Sequence, residues 1–299
     1  MKLLKKMISM GAAVAMLVGA SACSPQEKLV IGGKEYTEQR ILVHLISELI
    51  EDRTDIQVER KDGLGGTLVV YNALKAGSID LYIEYSGTVY VTIFGNETSS
   101  DMEYVYNQAK TLVKDENNFD VLSQFGFNNT YVMAVTQEFA QLHNLETISD
   151  LIPIADELHG GFTYEFINRQ DGLIGMEETY GFEVGEVSAF EGTLRYQALE
   201  NGNINITTAF GTDSLIQKLN LVALEDDLSF FPPYYAFPML RGGILEKYPI
   251  LADLSDELAA VLNNDAAMIA LNYQVDELQL EPREVARAFL IEQGLIDAD

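Results

Sequence analysis

Basic residues are scarce in this chain: its 299 residues carry 19 Lys and Arg against 46 Asp and Glu, a formal charge of −27. So acidic a surface repels phosphate backbones and anionic headgroups, which argues against nucleic acid and against a protein lying on a membrane. Cysteine occurs once, as Cys23, so no internal disulfide can form. The three histidines, His44, His143 and His159, are scattered with no HExxH or Cys-x-x-Cys partner, which speaks against a metal centre. There is no Gly-x-Ser-x-Gly elbow, and among 46 acids a carboxylate pair carries no information, so the chain does not read as an enzyme. Tryptophan is absent, whereas 15 Tyr and 14 Phe are present. The apolar stretch Met7–Ala20 is shorter than the roughly 20 residues that cross a bilayer.

That stretch follows Lys2, Lys5 and Lys6 and ends in small residues, the layout of a signal peptide over 1–22. Ala20-Ser21-Ala22-Cys23 is similar to a bacterial lipobox, with Ala where Leu is usual. The expectation is cleavage before Cys23, lipidation of its thiol, and a short tether over 23–27 on the outer face of the cytoplasmic membrane. The alternative is an ordinary signal peptide with a free Cys nearby. Loss of the three lysines moves the formal charge to −30.

GTLVVYNALKAGSIDL at 66–81 is nearly repeated as GTLRYQALENGNINI at 192–206. One repeat at about half the chain implies two similar lobes rather than a solenoid, whose periods are about 20–50 residues. Each copy predicts a short amphipathic helix (apolar at Leu68, Tyr71 and Leu74 in the first), a glycine past its end, and a strand. Asp80 aligns with Asn205, Tyr85 with Phe210 and Thr88 with Asp213. Tyr85 and Phe210 then fall at carboxyl strand ends, where α/β sheets bind ligands; the bland alternative is two core aromatics.

Elsewhere strands and helices alternate, enough for two α/β lobes. A strand over 29–34 leads to a helix from Thr37 to about Glu51. NNTYVMAVTQEFA (128–140) reads as a strand, 148–158 as a capped helix, 162–172 as strand and loop, 174–182 as a helix and 231–244 as an apolar strand. The end, 254–297, reads as two amphipathic helices. GLGGT (63–67) lacks the Gly-Lys-Ser/Thr of a P-loop and is a turn into a helix.

Tyr85, Tyr131, Phe210 and Tyr234 cluster near the expected cleft, with Lys34 at a strand end and Arg169 in NRQDG. Aromatic faces attract a cation through the ring quadrupole, and a quaternary ammonium, having no N–H, has few other partners. A carboxylate at the other end of a ligand calls for Arg, Lys or a Thr hydroxyl.

KEYTEQ (34–39), GLGGT, ALKAGSIDLYIEYSGT (73–88), NNTYVMAV (128–135), Arg169-Gln170-Asp171-Gly172, AFGTD (209–213) and FFPPYYAFP (230–238) together resemble the substrate-binding proteins of ABC importers for glycine betaine, carnitine and choline. The resemblance implies a two-lobed, periplasmic-binding-protein-like type II fold with a hinge and a cleft. It divides the chain into lobe I (28–129 plus 233–299) and lobe II (130–232). It implies no cofactor or metal, and as partners a small quaternary amine, a permease and, through it, an ATPase. By the same resemblance Tyr85, Tyr131 and Tyr234 are cage walls, Phe210 stands where relatives commonly have Tyr, and Asn129 where one can carry Asp. Lys34, Thr88 and Arg169 would hold a carboxylate. Tyr235 is the alternative to Tyr234, since neighbours on an extended segment point oppositely. Two cations in the pocket would favour a zwitterion such as glycine betaine, proline betaine or carnitine over choline. The rival readings are a choline receptor, a bilobal amino-acid sensor, or an enzyme on the same fold.

Overall fold

The computed structural model describes residues 28–298; the expected signal peptide, Cys23 and the whole of the tether over 23–27 lie outside them. Two five-stranded sheets divide the chain. The first half runs β1 (Leu29–Gly32), α1 (Thr37–Arg53), β2 (Val58–Lys61), α2 (Thr67–Lys75), β3 (Leu81–Tyr85), a π-helical turn over Thr88–Ile93, α3 (Met102–Asn117) and β4 (Asp120–Val121). The second lobe holds β5 (Tyr131–Thr136), α4 (Gln137–His143), β6 (His159–Phe162), α5 (Tyr164–Ile167), α6 (Leu173–Tyr180), β7 (Glu186–Ala189), α7 (Leu194–Glu200), β8 (Ile206–Phe210), α8 (Leu215–Lys218) and β9 (Leu221–Leu224). The chain then returns through β10 (Ala236–Leu240) to α9 (Ile244–Lys247), α10 (Ile250–Val261), α11 (Asp265–Asp276) and α12 (Pro282–Glu292).

The sheet orders are β2-β1-β3-β10-β4 and β7-β6-β8-β5-β9. In each, one strand entering from the other half of the chain (β10 beside β3, β5 beside β8) runs antiparallel to its neighbour. The two crossing segments bond to each other: Asn129 N–H donates to the Tyr234 carbonyl at 3.1 Å and Tyr234 N–H to the Asn128 side chain at 2.8 Å. That pairing sets Asn129 and Tyr234 on the hinge.

The repeated segment folds twice into one unit, α2–β3 and α7–β8. Gly77 and Gly202 both take left-handed backbone, φ 70° and 69°, where a Cβ is disfavoured. The next amides, Ser78 and Asn203, reach back to the carbonyls of Ala73 and Ala198 at 2.9 Å each. The aligned Asp80 and Asn205 also share a role: each side chain accepts from the backbone N–H of the adjoining strand, Val30 at 3.0 Å and His159 at 2.8 Å.

Several expectations change. Leu68 is exposed; the buried face of α2 is Thr67, Val70, Tyr71 and Leu74. The strand read over 128–140 stops at Thr136, whose hydroxyl caps α4. The 148–158 helix is a 3-10 helix kinked near Pro153, because proline cannot continue an α-helix ladder. The segment after β6 contains the short α5, and the end read as two helices over 254–297 holds three, α10, α11 and α12. α1 is buried on nearly all sides, under α12 and beside α10 and α11. Its buried Glu48 pairs with Arg60 and Arg283 at 2.7 Å each.

Candidate functional site

The strand ends define one interlobe cavity. Tyr85 is the last residue of β3, Phe210 the last of β8 and Tyr131 the first of β5; Tyr131 sits opposite Phe210 in the ladder, and Tyr85 opposite Ala236. Lys34 follows β1 by two residues, Thr88 opens the π-helical turn, and Arg169 lies between α5 and α6. All eight residues expected at the site (Lys34, Tyr85, Thr88, Asn129, Tyr131, Arg169, Phe210 and Tyr234) line this narrow cavity of about 30 Å³, joined by Tyr36 and Glu165. Tyr235 does not line it, so Tyr234 is the residue that faces inward.

The aromatic rings form a continuous wall. Tyr131 lies 5.2 Å from Phe210 and 5.5 Å from Tyr234, the latter edge-on, and Tyr36 of the first lobe stacks on Phe210 of the second at 6.1 Å. Burial holds the Tyr36, Tyr85, Tyr131 and Tyr234 hydroxyls protonated, with pKa values raised above that of free tyrosine. They therefore present neutral rings across the working pH range.

The two cations are not free. Lys34 Nζ donates to Glu84 at 2.6 Å, both side chains being buried, and stands 5.1 Å from the Tyr85 ring centroid. Arg169 grips Asp171 with Nε at 2.8 Å and Nη2 at 2.5 Å, and its guanidinium lies 5.6 Å from the Tyr131 centroid. Arg169 also reaches Thr88 Oγ1 and Glu165, both at 3.4 Å. A buried ion demands a partner or a shifted protonation state. Each of the two cations expected to favour a zwitterion over choline thus has a carboxylate of its own.

Asp171 is wholly buried and also accepts from Tyr234 OH at 2.6 Å and Thr92 Oγ1 at 2.9 Å, both from across the cleft. Burial works against its charge, but the Arg169 guanidinium and these hydroxyls more than offset it and set its pKa below the ordinary value. Glu165 of α5 crosses the cleft to accept from the first N–H of α2, Thr67, at 2.6 Å. That N–H has no partner inside the helix, and the helix N-terminus favours a carboxylate. A side chain at Gly66 would meet Glu165 Oε1 at 2.5 Å, so this glycine admits the contact. Burial opposes the Glu165 charge too, and Lys34, Arg169 and the Thr67 amide outweigh it, holding its pKa low. The lobes are thus closed onto each other through Thr67–Glu165, Thr92–Asp171 and Tyr234–Asp171.

Sequence reasoning did not single out Tyr36, Glu84, Glu165 or the role of Asp171. Glu84 carried a signal: a lone charge inside the strand LYIEY, every residue of which is buried. Of the histidines, His44 lies 3.6 Å from Asp62 and His159 3.9 Å from Glu186. Among the described residues no cluster of three or more His, Cys, Asp or Glu side chains could hold a metal.

The two-lobed fold has counterparts among known proteins. The family described as the substrate binding domain of ABC-type glycine betaine transport systems matches residues 27–292. The chain belongs to that family. The chain is 35% identical over 90% of its length to an ergothioneine transport permease/ergothioneine binding protein of Helicobacter pylori, of which it spans 48%. It is 32% identical over 89% of its length, and 87% of the relative's, to a carnitine transport binding protein of Listeria monocytogenes. A solved glycine betaine/carnitine/choline ABC transporter structure superimposes with a TM-score of 0.74 at 29% identity, covering 90% of this chain and all of that one. The binding domain has the two-lobed type II architecture of these structures, and its family is one of transport receptors rather than enzymes. No helix among its described residues is long and apolar enough to cross a membrane.

Proposed function

We propose that the protein captures a quaternary-ammonium zwitterion, glycine betaine first and carnitine or proline betaine next, and delivers it to a membrane permease driven by an ATPase. One observation carries the reading: eight residues from segments far apart in sequence, each expected at an ammonium cage or a carboxylate clamp, line a single interlobe cavity. Tyr85, Tyr131, Phe210 and Tyr234 supply π-faces, each worth about 0.5–2 kcal/mol to a desolvated cation. Lys34, Thr88 and the Nη side of Arg169 supply donors for a carboxylate, with Glu84 and Asp171 keeping the two cations in place. The lipid anchor on Cys23 and an extracytoplasmic location belong to the same reading.

A second reading has its own observation. Glu165 presents a carboxylate to the cavity, an acceptor for which glycine betaine has no N–H. The cavity also adjoins a wider mouth lined by Tyr36, Tyr131, Glu165, Arg195 and Phe210. A larger betaine whose ring bears an N–H, such as ergothioneine, would use both. Calorimetric titration of residues 24–299 with glycine betaine, proline betaine, carnitine, ergothioneine and choline separates the readings. Saturable glycine betaine binding, much tighter than choline, supports the first; ergothioneine tightest supports the second. Choline tightest keeps the cage and removes the clamp, and binding of none refutes both.

A further inference from the structure

Most of the buried charges around the cleft come in pairs. Lys34 has Glu84, Arg169 has Asp171, and Arg195 has Asp213 at 3.1 Å. Glu38, in the first turn of α1, is the exception. It is as buried as these, and among the described residues no cation lies within ion-pair distance of it. Its carboxylate is instead held by neutral donors. Oε1 accepts from Asn129 Nδ2 at 2.6 Å and Tyr85 OH at 2.7 Å; Oε2 accepts from Thr212 Oγ1 at 2.6 Å and Asn272 Nδ2 at 3.4 Å. Two of those donors, Tyr85 and Asn129, line the ligand cavity, and a third, Thr212, belongs to the opposite lobe.

An isolated buried carboxylate is costly, and hydrogen bonds alone offset only part of the cost. The missing counter-charge is what a quaternary ammonium brings to the far side of Tyr85 and Asn129. The same carboxylate joins the cage to closure, because the Thr212 bond exists only when the lobes meet. We propose that Glu38 is a positioning and specificity-determining residue of the binding site: its carboxylate sets Tyr85 and Asn129 around a cationic head and, through Thr212, makes cage assembly and lobe closure one event. This deepens the quaternary-amine reading above and rests on it.

Burial raises the Glu38 pKa although its four donors lower it. The sign then differs between the empty and the filled protein. A raised acid pKa means the folded empty protein binds the proton more readily than the unfolded chain, so ionised Glu38 costs stability at neutral pH, and that cost fades as pH falls. A cationic ligand favours the ionised form, so its affinity weakens over the same fall in pH. The other titratable or charged groups facing this carboxylate are Tyr36 and Tyr85 from its own lobe, Asp276 on α11, and Arg195, Tyr196 and Asp213 from the second lobe. Asp276 also has a raised pKa from burial, so it needs its own control.

The test titrates wild type, Glu38→Gln, Thr212→Val and Asp276→Asn with glycine betaine and with choline between pH 8 and pH 5, alongside small-angle scattering and thermal melts. Neither ligand's ammonium titrates. Expected for Glu38→Gln are affinity at least tenfold weaker, a pH profile flatter than wild type, and an empty-state melting temperature at or above wild type. A merely structural residue would lower that temperature. Thr212→Val keeps the wild-type pH slope, binds a few-fold more weakly and compacts less on ligand addition; Asp276→Asn keeps the slope. Wild-type affinity in Glu38→Gln, or an unchanged slope, overturns the role in the cage. Full compaction in Thr212→Val overturns the coupling to closure. If wild type binds neither these ligands nor the larger betaines, the quaternary-amine reading itself fails, and the role in the cage with it. Closure is then decided by the scattering of empty Glu38→Gln and Thr212→Val, where a profile identical to wild type overturns it.

Discussion

On the proposed reading Arg169 has two separable tasks, pairing with Asp171 and holding a ligand carboxylate, and a double-mutant cycle with Asp171 resolves them. In Arg169→Met the stem volume is kept while Asp171, wholly buried, loses its bidentate partner and retains only the Tyr234 and Thr92 hydroxyls. Leaving one member of a buried ion pair uncompensated costs about 3–5 kcal/mol, whereas replacing both members by neutral groups is often close to neutral. Arg169→Met should therefore lose about 3–5 kcal/mol in chemical unfolding, and Arg169→Met with Asp171→Asn should recover most of it, a coupling of about 2–4 kcal/mol. Glycine betaine affinity behaves differently. Both Arg169-less proteins lack the charge-assisted contact to a ligand carboxylate, worth about 1.5–3 kcal/mol, so both bind glycine betaine roughly tenfold or more weakly. Choline, with no carboxylate, should bind the double variant about as well as wild type. Urea titration measures the first effect and calorimetry the second. Additive unfolding energies would refute the pairing argument, and recovery of betaine affinity in the double variant would refute the contact between Arg169 and the ligand.

Phe210→Ala should weaken any quaternary-amine ligand by about 0.5–2 kcal/mol, the worth of one π-face, while Phe210→Tyr should change affinity by less than this; calorimetry reads both. Glu165, whose pKa is held below the ordinary glutamate value, keeps its bond to Thr67 from neutral pH down through that range and gives it up only as pH falls through the lowered pKa. Its contribution to closure is thus present above the unfolded pKa. Scattering should show the contact surviving at pH 5 and Glu165→Gln less closed at every pH. Gly77→Ala and Gly202→Ala, at matching left-handed positions, should each cost about 1 kcal/mol and lower Tm by about 2–4 °C. Very unequal costs would show that the two units do not share a turn.

Much of the fold was legible because it rests on local rules. The helix, left-handed glycine and strand of each repeat are specified within some 15 residues, so one copy predicts the other, down to Asp80 and Asn205. The burial of α2 was less legible: Leu68 fits the periodicity, yet it lies in solvent. The carboxyl-terminal helices were merged in the reading because their caps at Pro249, Asn264 and Glu281 are weaker signals than the amphipathic pattern running through them.

By itself the sequence determined the chemistry available: an aromatic-rich, cysteine-poor, acidic chain with two copies of a strand-end motif, and the residue types of a cage and a clamp. Only the tertiary structure decided how their charges balance. Lys34 meets Glu84 across 50 residues and Glu38 meets Thr212 across 174, contacts no local pattern encodes. The choice of Tyr234 over Tyr235 likewise waited on the pairing of the two hinge segments. The physical reason is common to all three. A buried charge or ring is defined by what faces it, and in a two-lobed protein the facing group arrives from a distant segment of the chain.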